Sequence, residues 1–111
     1  MNTIDAAFSK MGLDSSQKHV FLCVGPECCS PDAGLATWEV LKKETARLGV
    51  PCLRSKAACL RICSGGPWMV VYPEGIWYGH VTPEKCLRIV QEHLAGSNPI
   101  KEEIVREHPL A

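Results

Sequence analysis

Apolar residues gather first at residues 18–24 (KHVFLCV), a run in which Val, Phe and Leu dominate. Such a run is long enough for a buried strand and too short for a helix. Cys23 falls at its end, and Gly25-Pro26 follows as a turn signal. The period then changes. Ser30-Pro31-Asp32 reads as an N-cap, a proline in the first helical turn and an acidic residue suited to the helix dipole. Leu35, Trp38, Leu41 and Leu48 recur at helical spacing, with Lys42, Lys43, Glu44 and Arg47 off that face, and Gly49 ends the run before Pro51. The spacing predicts an amphipathic helix packed on a sheet.

Residues 51–55 suit a second short strand, and residues 56–66 read as a loop carrying Cys59 and Cys63. Two further apolar runs, at 68–72 and 76–81, flank Pro73-Glu74-Gly75 and predict a β-hairpin closed by a type I turn. Residues 83–95 place Leu87, Val90 and Leu94 on one helical face, with Thr82 as N-cap and Gly96 as the stop. The order β, α, β, cysteine loop, β-hairpin, α puts a parallel βαβ unit before an antiparallel pair. That is an α/β, thioredoxin-like order, with a four- to five-stranded mixed sheet flanked by helices. The chain divides into an N-terminal extension (1–17), a domain (18–96) and a C-terminal tail (97–111) that reads as a short helix or a mobile end, with no internal repeat.

Composition narrows the function classes. At 111 residues and 46% hydrophobic content, the chain supports one core. Its 12 basic and 12 acidic residues cancel, so no overall field draws it to nucleic acid or an anionic membrane. No apolar run approaches the roughly twenty residues that cross a bilayer. Residues 1–17 carry neither a basic leader nor an apolar stretch, and a cytoplasmic location is the expectation.

The seven cysteines change the picture most. An odd number fits poorly with paired disulfides, and in a reducing compartment clustered thiols point to metal. They stand at Cys23, Cys28, Cys29, Cys52, Cys59, Cys63 and Cys86, with no C-x-x-C among them. Cys59-Leu-Arg-Ile-Cys63 brings two sulfurs to one side of a turn or compact loop. A second pair would come from Cys23 with Cys28 or Cys29, at a strand-to-helix junction that faces the same end of the sheet. Both pairs are wider than zinc-ribbon knuckles, and the close-spaced run of bacterial 4Fe-4S sites is missing. A thiol-disulfide oxidoreductase of the same fold, or a zinc-stabilised interaction module, are the alternatives.

The other chemistry-bearing residues have plainer readings. Cys52 and Cys86 suit small buried hydrophobes. None of His19, His80, His93 and His108 stands close enough to a candidate cysteine for a Rieske centre. Trp38 belongs to the core, Trp77 and Tyr78 to the core or a dimer surface, and Arg54, Lys56 and Arg61 to ordinary surface. The glycines of Gly65-Gly66-Pro67 would let backbone amides approach the sulfurs.

Three segments carry a resemblance: KHVFLCVGPECC at 18–29, CLRIC at 59–63 and GPWMVVYPEGIWYGHVTPE at 66–84. In these the chain resembles the thioredoxin-like 2Fe-2S ferredoxins, relatives of a cluster domain in respiratory complex I. The resemblance implies a 2Fe-2S cluster on four cysteines, one-electron transfer between redox proteins without catalysis, and a homodimer. The ligand set it implies is Cys23, Cys29, Cys59 and Cys63. The family's commonest spacing favours Cys28 as the second ligand, whereas counting back from the helix favours Cys29. Cys29 is preferred because an extra loop residue costs little, while one inserted at a helix start rotates the packed face. All-cysteine ligation implies a low potential, of the order of the roughly −400 mV of plant-type ferredoxins.

Overall fold

Val20 and Leu22 point inward from a six-residue strand while His19 and Phe21 point the other way, and this alternation sets the plan of the molecule. The computed structural model describes residues 3–109; residues 1, 2, 110 and 111, the outer ends of the predicted extension and tail, lie outside it. The elements in order are α1 (Thr3–Met11), β1 (Lys18–Cys23), α2 (Pro31–Leu48), β2 (Cys52–Ala57), β3 (Met69–Tyr72), β4 (Ile76–Tyr78), α3 (Pro83–Ile89) and β5 (Ile104–Glu107). The five strands form one mixed sheet in the order β2-β1-β3-β4-β5, with β1 and β2 parallel and the other pairs antiparallel. This is the thioredoxin-like arrangement that the element order predicts.

Both predicted helix starts and the first stop are where the sequence punctuates. The Ser30 side chain accepts from the Ala33 amide at 3.2 Å, Gly49 takes the left-handed φ of 64° that ends α2, and the Thr82 hydroxyl accepts from Lys85 at 3.1 Å. The buried faces differ from the expected ones. In α2 the buried positions are Gly34, Thr37, Leu41, Glu44 and Thr45, with Trp38 half-buried at their edge and Leu35 left 43% exposed. The cause is a close approach: a Cβ on Gly34 would lie 2.5 Å from the Val24 Cα, so the helix seats its smallest residue against the chain leaving β1. The Thr37 hydroxyl then donates to the Val81 carbonyl at 2.7 Å. In α3 Cys86 and Ile89 are buried and Leu87 is 39% exposed, because the helix runs on as a π-helical turn at Val90–Ala95 that buries Val90, His93 and Leu94.

The hairpin turn and the tail also depart from expectation. The turn closes through Gly75 N–H to the Val71 carbonyl at 2.8 Å, one residue wider than a type I turn, with Tyr72–Pro73 cis and Gly75 at φ 67°. The tail contains the expected short helix, a single 3-10 turn at Lys101–Glu103, and then adds an unexpected strand, β5, on the edge of β4, with Ile100 buried. Its register places Trp77 opposite Arg106.

One core fills the space between α2, α3 and the sheet, with Val20, Leu22, Leu41, Met69, Tyr78 and Ile89 among its fully covered members. Cys86 is fully buried within it, and Cys52 is half-buried on β2. The opposite face of the sheet carries half-buried His19, Phe21, Tyr72 and Trp77. There an open groove of about 590 Å³ runs from Trp77, Tyr72 and Val105 to Trp68 and Ile62.

Candidate metal centre

Five of the seven cysteines gather at two places: Cys23, the last residue of β1, with Cys28 and Cys29 on the loop after it, and Cys59 and Cys63 on the loop between β2 and β3. The first group begins where β1 meets Trp68, the residue just before β3. Cys23 N–H donates to the Trp68 carbonyl at 3.0 Å, and Trp68 N–H returns a bond to Cys23 Sγ at 3.1 Å. Cys23 is fully buried, Cys28 is 4% exposed and Cys29 is half-buried, with Cys28 and Cys29 sulfurs 3.7 Å apart. Burial pushes the Cys23 thiol up to about 12, and the Cys28 and Cys29 thiols beside it add to the effect while the Trp68 amide opposes it. Burial likewise lifts Cys29 to about 11, reinforced by Cys28 and opposed by the Cys23 thiol and the Gly34 amide at the start of α2.

The second loop is exposed. Arg61, between its two cysteines, adopts φ 74°, a left-handed conformation unusual for a side chain of this size. That twist aims its amide at Cys59 Sγ, 3.1 Å away. The Cys63 thiol is raised by its hydrogen bond with Cys59, then by their mutual charge and by Glu27. The Cys63 thiol donates to Glu27 Oε2 at 3.6 Å. Glu27, Cys59 and Cys63 hold their ligand atoms within 4.8 Å of one another, the one such group of three among the described residues.

The two loops are fastened together at two points. Besides the Glu27–Cys63 contact, Gly66 N–H donates to the Cys28 carbonyl at 2.9 Å. A Cβ on Gly66 would lie 2.8 Å from that oxygen and 3.1 Å from Cys28 Cβ, so only glycine permits the approach. The glycine amides therefore act differently from expectation. Gly66 binds a carbonyl and not a sulfur, and the amides that reach sulfurs come from Trp68 and Arg61. The Gly66–Pro67 bond is cis.

Sequence reasoning found the five thiols and missed Glu27 and the two amide donors. An acidic residue inside a cysteine loop was the available signal, but on a surface loop a glutamate is ordinary. The basic trio does not form one patch at the site: Arg54 donates to Thr45 Oγ1 at 2.7 Å, and the Lys56 ammonium lies 5.7 Å from the Trp38 ring centre, both on α2. His19 bonds Ser55 and His93 bonds Tyr78, both away from the thiols.

The donor set suits a thiophilic metal group. Soft sulfurs lie on two tied segments, Cys28 beside Cys29 on one and Cys59 beside Cys63 on the other, with backbone N–H groups aimed at the Cys23 and Cys59 sulfurs. Cys52 and Cys86 belong to neither loop.

No family model matches the chain. It is 30% identical over 98 residues to a 2Fe-2S ferredoxin of Aquifex aeolicus, covering 79% of this chain and 88% of the relative. It is 33% identical over 97 residues, 86% of this chain and 76% of the relative, to a Priestia megaterium protein named provisionally as a 2Fe-2S ferredoxin. The solved structure of a thioredoxin-like 2Fe-2S ferredoxin from Aquifex aeolicus superposes with a TM-score of 0.74 at 28% identity, over 86% of this chain and 96% of that one.

Proposed function

Because this chain belongs to the thioredoxin-like 2Fe-2S ferredoxins, we propose that it holds one 2Fe-2S cluster and carries single electrons between redox proteins without catalysing a reaction of its own. The observation that carries this reading is the fastening of the Cys23–Cys29 loop to the Cys59–Cys63 loop through Gly66–Cys28 and Glu27–Cys63. Cys23, Cys29, Cys59 and Cys63 are the proposed ligands, with Cys28 the alternative to Cys29. The greater burial of Cys28, whose carbonyl Gly66 holds, beside the half-buried Cys29 supports Cys29.

The cluster, when bound, supplies reversible one-electron reduction. The chain does the rest. The Trp68 and Arg61 amides stabilise negative sulfur, burial of Cys23 keeps water from one side of the site, and exposure of Cys59 and Cys63 leaves the other side open to a partner. The partners are proposed to be larger redox proteins, met in the cytoplasm. No described helix is long and apolar enough to cross a membrane.

Anaerobically purified protein should be brown, contain two irons and two sulfides per chain as the formula requires, and take up one electron to give a paramagnetic state. A colourless, zinc-containing protein would overturn the reading. A homodimer is proposed as well. The half-buried aromatic residues of the open sheet face support it, and sedimentation of the native protein tests it.

A further inference from the structure

Glu27 stands apart from the other acidic residues near structural features. Its Oε2 lies 3.6 Å from Cys63 Sγ and within 4.8 Å of the Cys59 sulfur, and it takes part in no ion pair among the described residues. It is exposed, as are both sulfurs. Its position is fixed by the loop: Cys28, the next residue, is buried and held through its carbonyl by Gly66. The contact seen here is a thiol donating to a carboxylate. Once Cys63 is a metal-bound thiolate it has no proton to donate, and a carboxylate then faces a sulfur that shares the negative charge of the site.

We propose that Glu27 acts through the Cys63 sulfur to hold the reduction equilibrium of the site toward the oxidised form. Reduction adds one electron from an external donor, breaks no bond and makes the site one unit more negative. A negative group this close opposes that step in proportion to charge and inversely to distance, and partial exposure weakens the effect without removing it. The opposite end of the site has the opposite bias. The buried Cys23 sulfur receives the Trp68 amide at 3.1 Å. The loop residue and the amide thus set the equilibrium against each other, with the carboxylate on the exposed side where a partner would meet it.

The inference rests on the 2Fe-2S reading, and one set of experiments separates the two. Full-length loaded protein is titrated with dithionite and mediators, following visible absorption, for the native chain, Glu27→Gln, Glu27→Ala, Glu27→Asp and the remote control Glu39→Gln. Both neutral variants should shift the midpoint upward, by about tenfold in the reduction equilibrium, ~59 mV for a one-electron couple. Glu27→Asp and Glu39→Gln should stay near the native value. Absence of an iron-sulfur spectrum in the native protein would sink the underlying reading. A normal spectrum with an unmoved or lowered midpoint in both neutral variants would sink only the role of Glu27. Loss of the cluster from both neutral variants, with Glu27→Asp intact, would make the residue a structural support and also overturn the proposal.

Discussion

The Tyr78 hydroxyl and Nδ1 of His93 share a hydrogen bond of 2.8 Å in the middle of the core, and the two rings meet edge-on with centroids 5.8 Å apart. The bonds continue in both directions. Ile100 N–H donates to the Tyr78 oxygen at 3.2 Å, His93 Nε2 donates to Glu74 Oε2 at 2.8 Å, and the Lys18 ammonium donates to the same oxygen at 2.6 Å. Burial favours a neutral imidazole, and with its proton on Nε2 toward the Glu74 carboxylate the Tyr78 hydroxyl is the donor to Nδ1. One relay thus joins the tail, β4, the π-helical turn, the hairpin turn and the start of β1.

Acid should weaken the fold through this relay. Burial holds the His93 pKa below its ordinary value, so the unfolded chain takes up that proton first; the contribution is complete above about pH 6.5 and lost as pH falls further. Burial raises the Glu74 carboxyl, but the Lys18 and His93 bonds outweigh it and leave it below the usual range. Its contribution is therefore present above about pH 4.5 and lost below, the same direction. Thermal unfolding between pH 8 and pH 4 should show the midpoint falling with acid, with a flatter dependence between pH 7 and 5 for His93→Gln than for the native protein. An equal slope for both proteins would exclude His93 as the source.

Removing the hydroxyl in Tyr78→Phe leaves the Ile100 amide and His93 Nδ1 buried without their partner. The expected cost is about 1–3 kcal/mol in denaturant unfolding, with the visible spectrum of the loaded protein unchanged. A cost near zero would mean that water replaces the hydroxyl.

Serine at position 29 should abolish the native spectrum, and serine at position 28 should leave it. Cys28 is buried against Gly66 while Cys29 is half-buried and more open. Iron content and absorption of the two variants, purified without oxygen, decide between them; the reverse result assigns the ligand to Cys28.

In Gly66→Ala the new methyl meets the Cys28 carbonyl and Cβ, both backbone-anchored, so the two loops must separate. Cluster occupancy after purification should drop several-fold. The rest of the fold, read by far-ultraviolet circular dichroism, should persist, since the core cluster does not include Gly66. Full occupancy would show that the loops need no such closeness.

Much of this was legible because it is local. Ser30-Pro31 and Gly49 bracket α2 through their own backbone preferences, and Cys59 and Cys63 declare themselves by spacing. The buried faces of α2 and α3 were not, since Gly34 against Val24 and the π-helical turn are settled by tertiary fit. Strand β5 hides for a similar reason: Ile104–Glu107 has one half-buried residue and three exposed ones, so its only signal is the free edge of β4. The choice between Cys28 and Cys29 turns on two adjacent thiols that both lie beside Cys23, a distinction that spacing alone does not carry.

Strand β1 has Lys18 at one end and Cys23 at the other, five rises or roughly 17 Å apart. It works as a strut with unlike footings, a proton-sensitive one in the relay and a metal-sensitive one among the thiols. Mild acid therefore loosens the footing remote from the sulfurs first, and damage must travel the length of the strut, with β2 and β3 bracing both sides, before the ligands slacken.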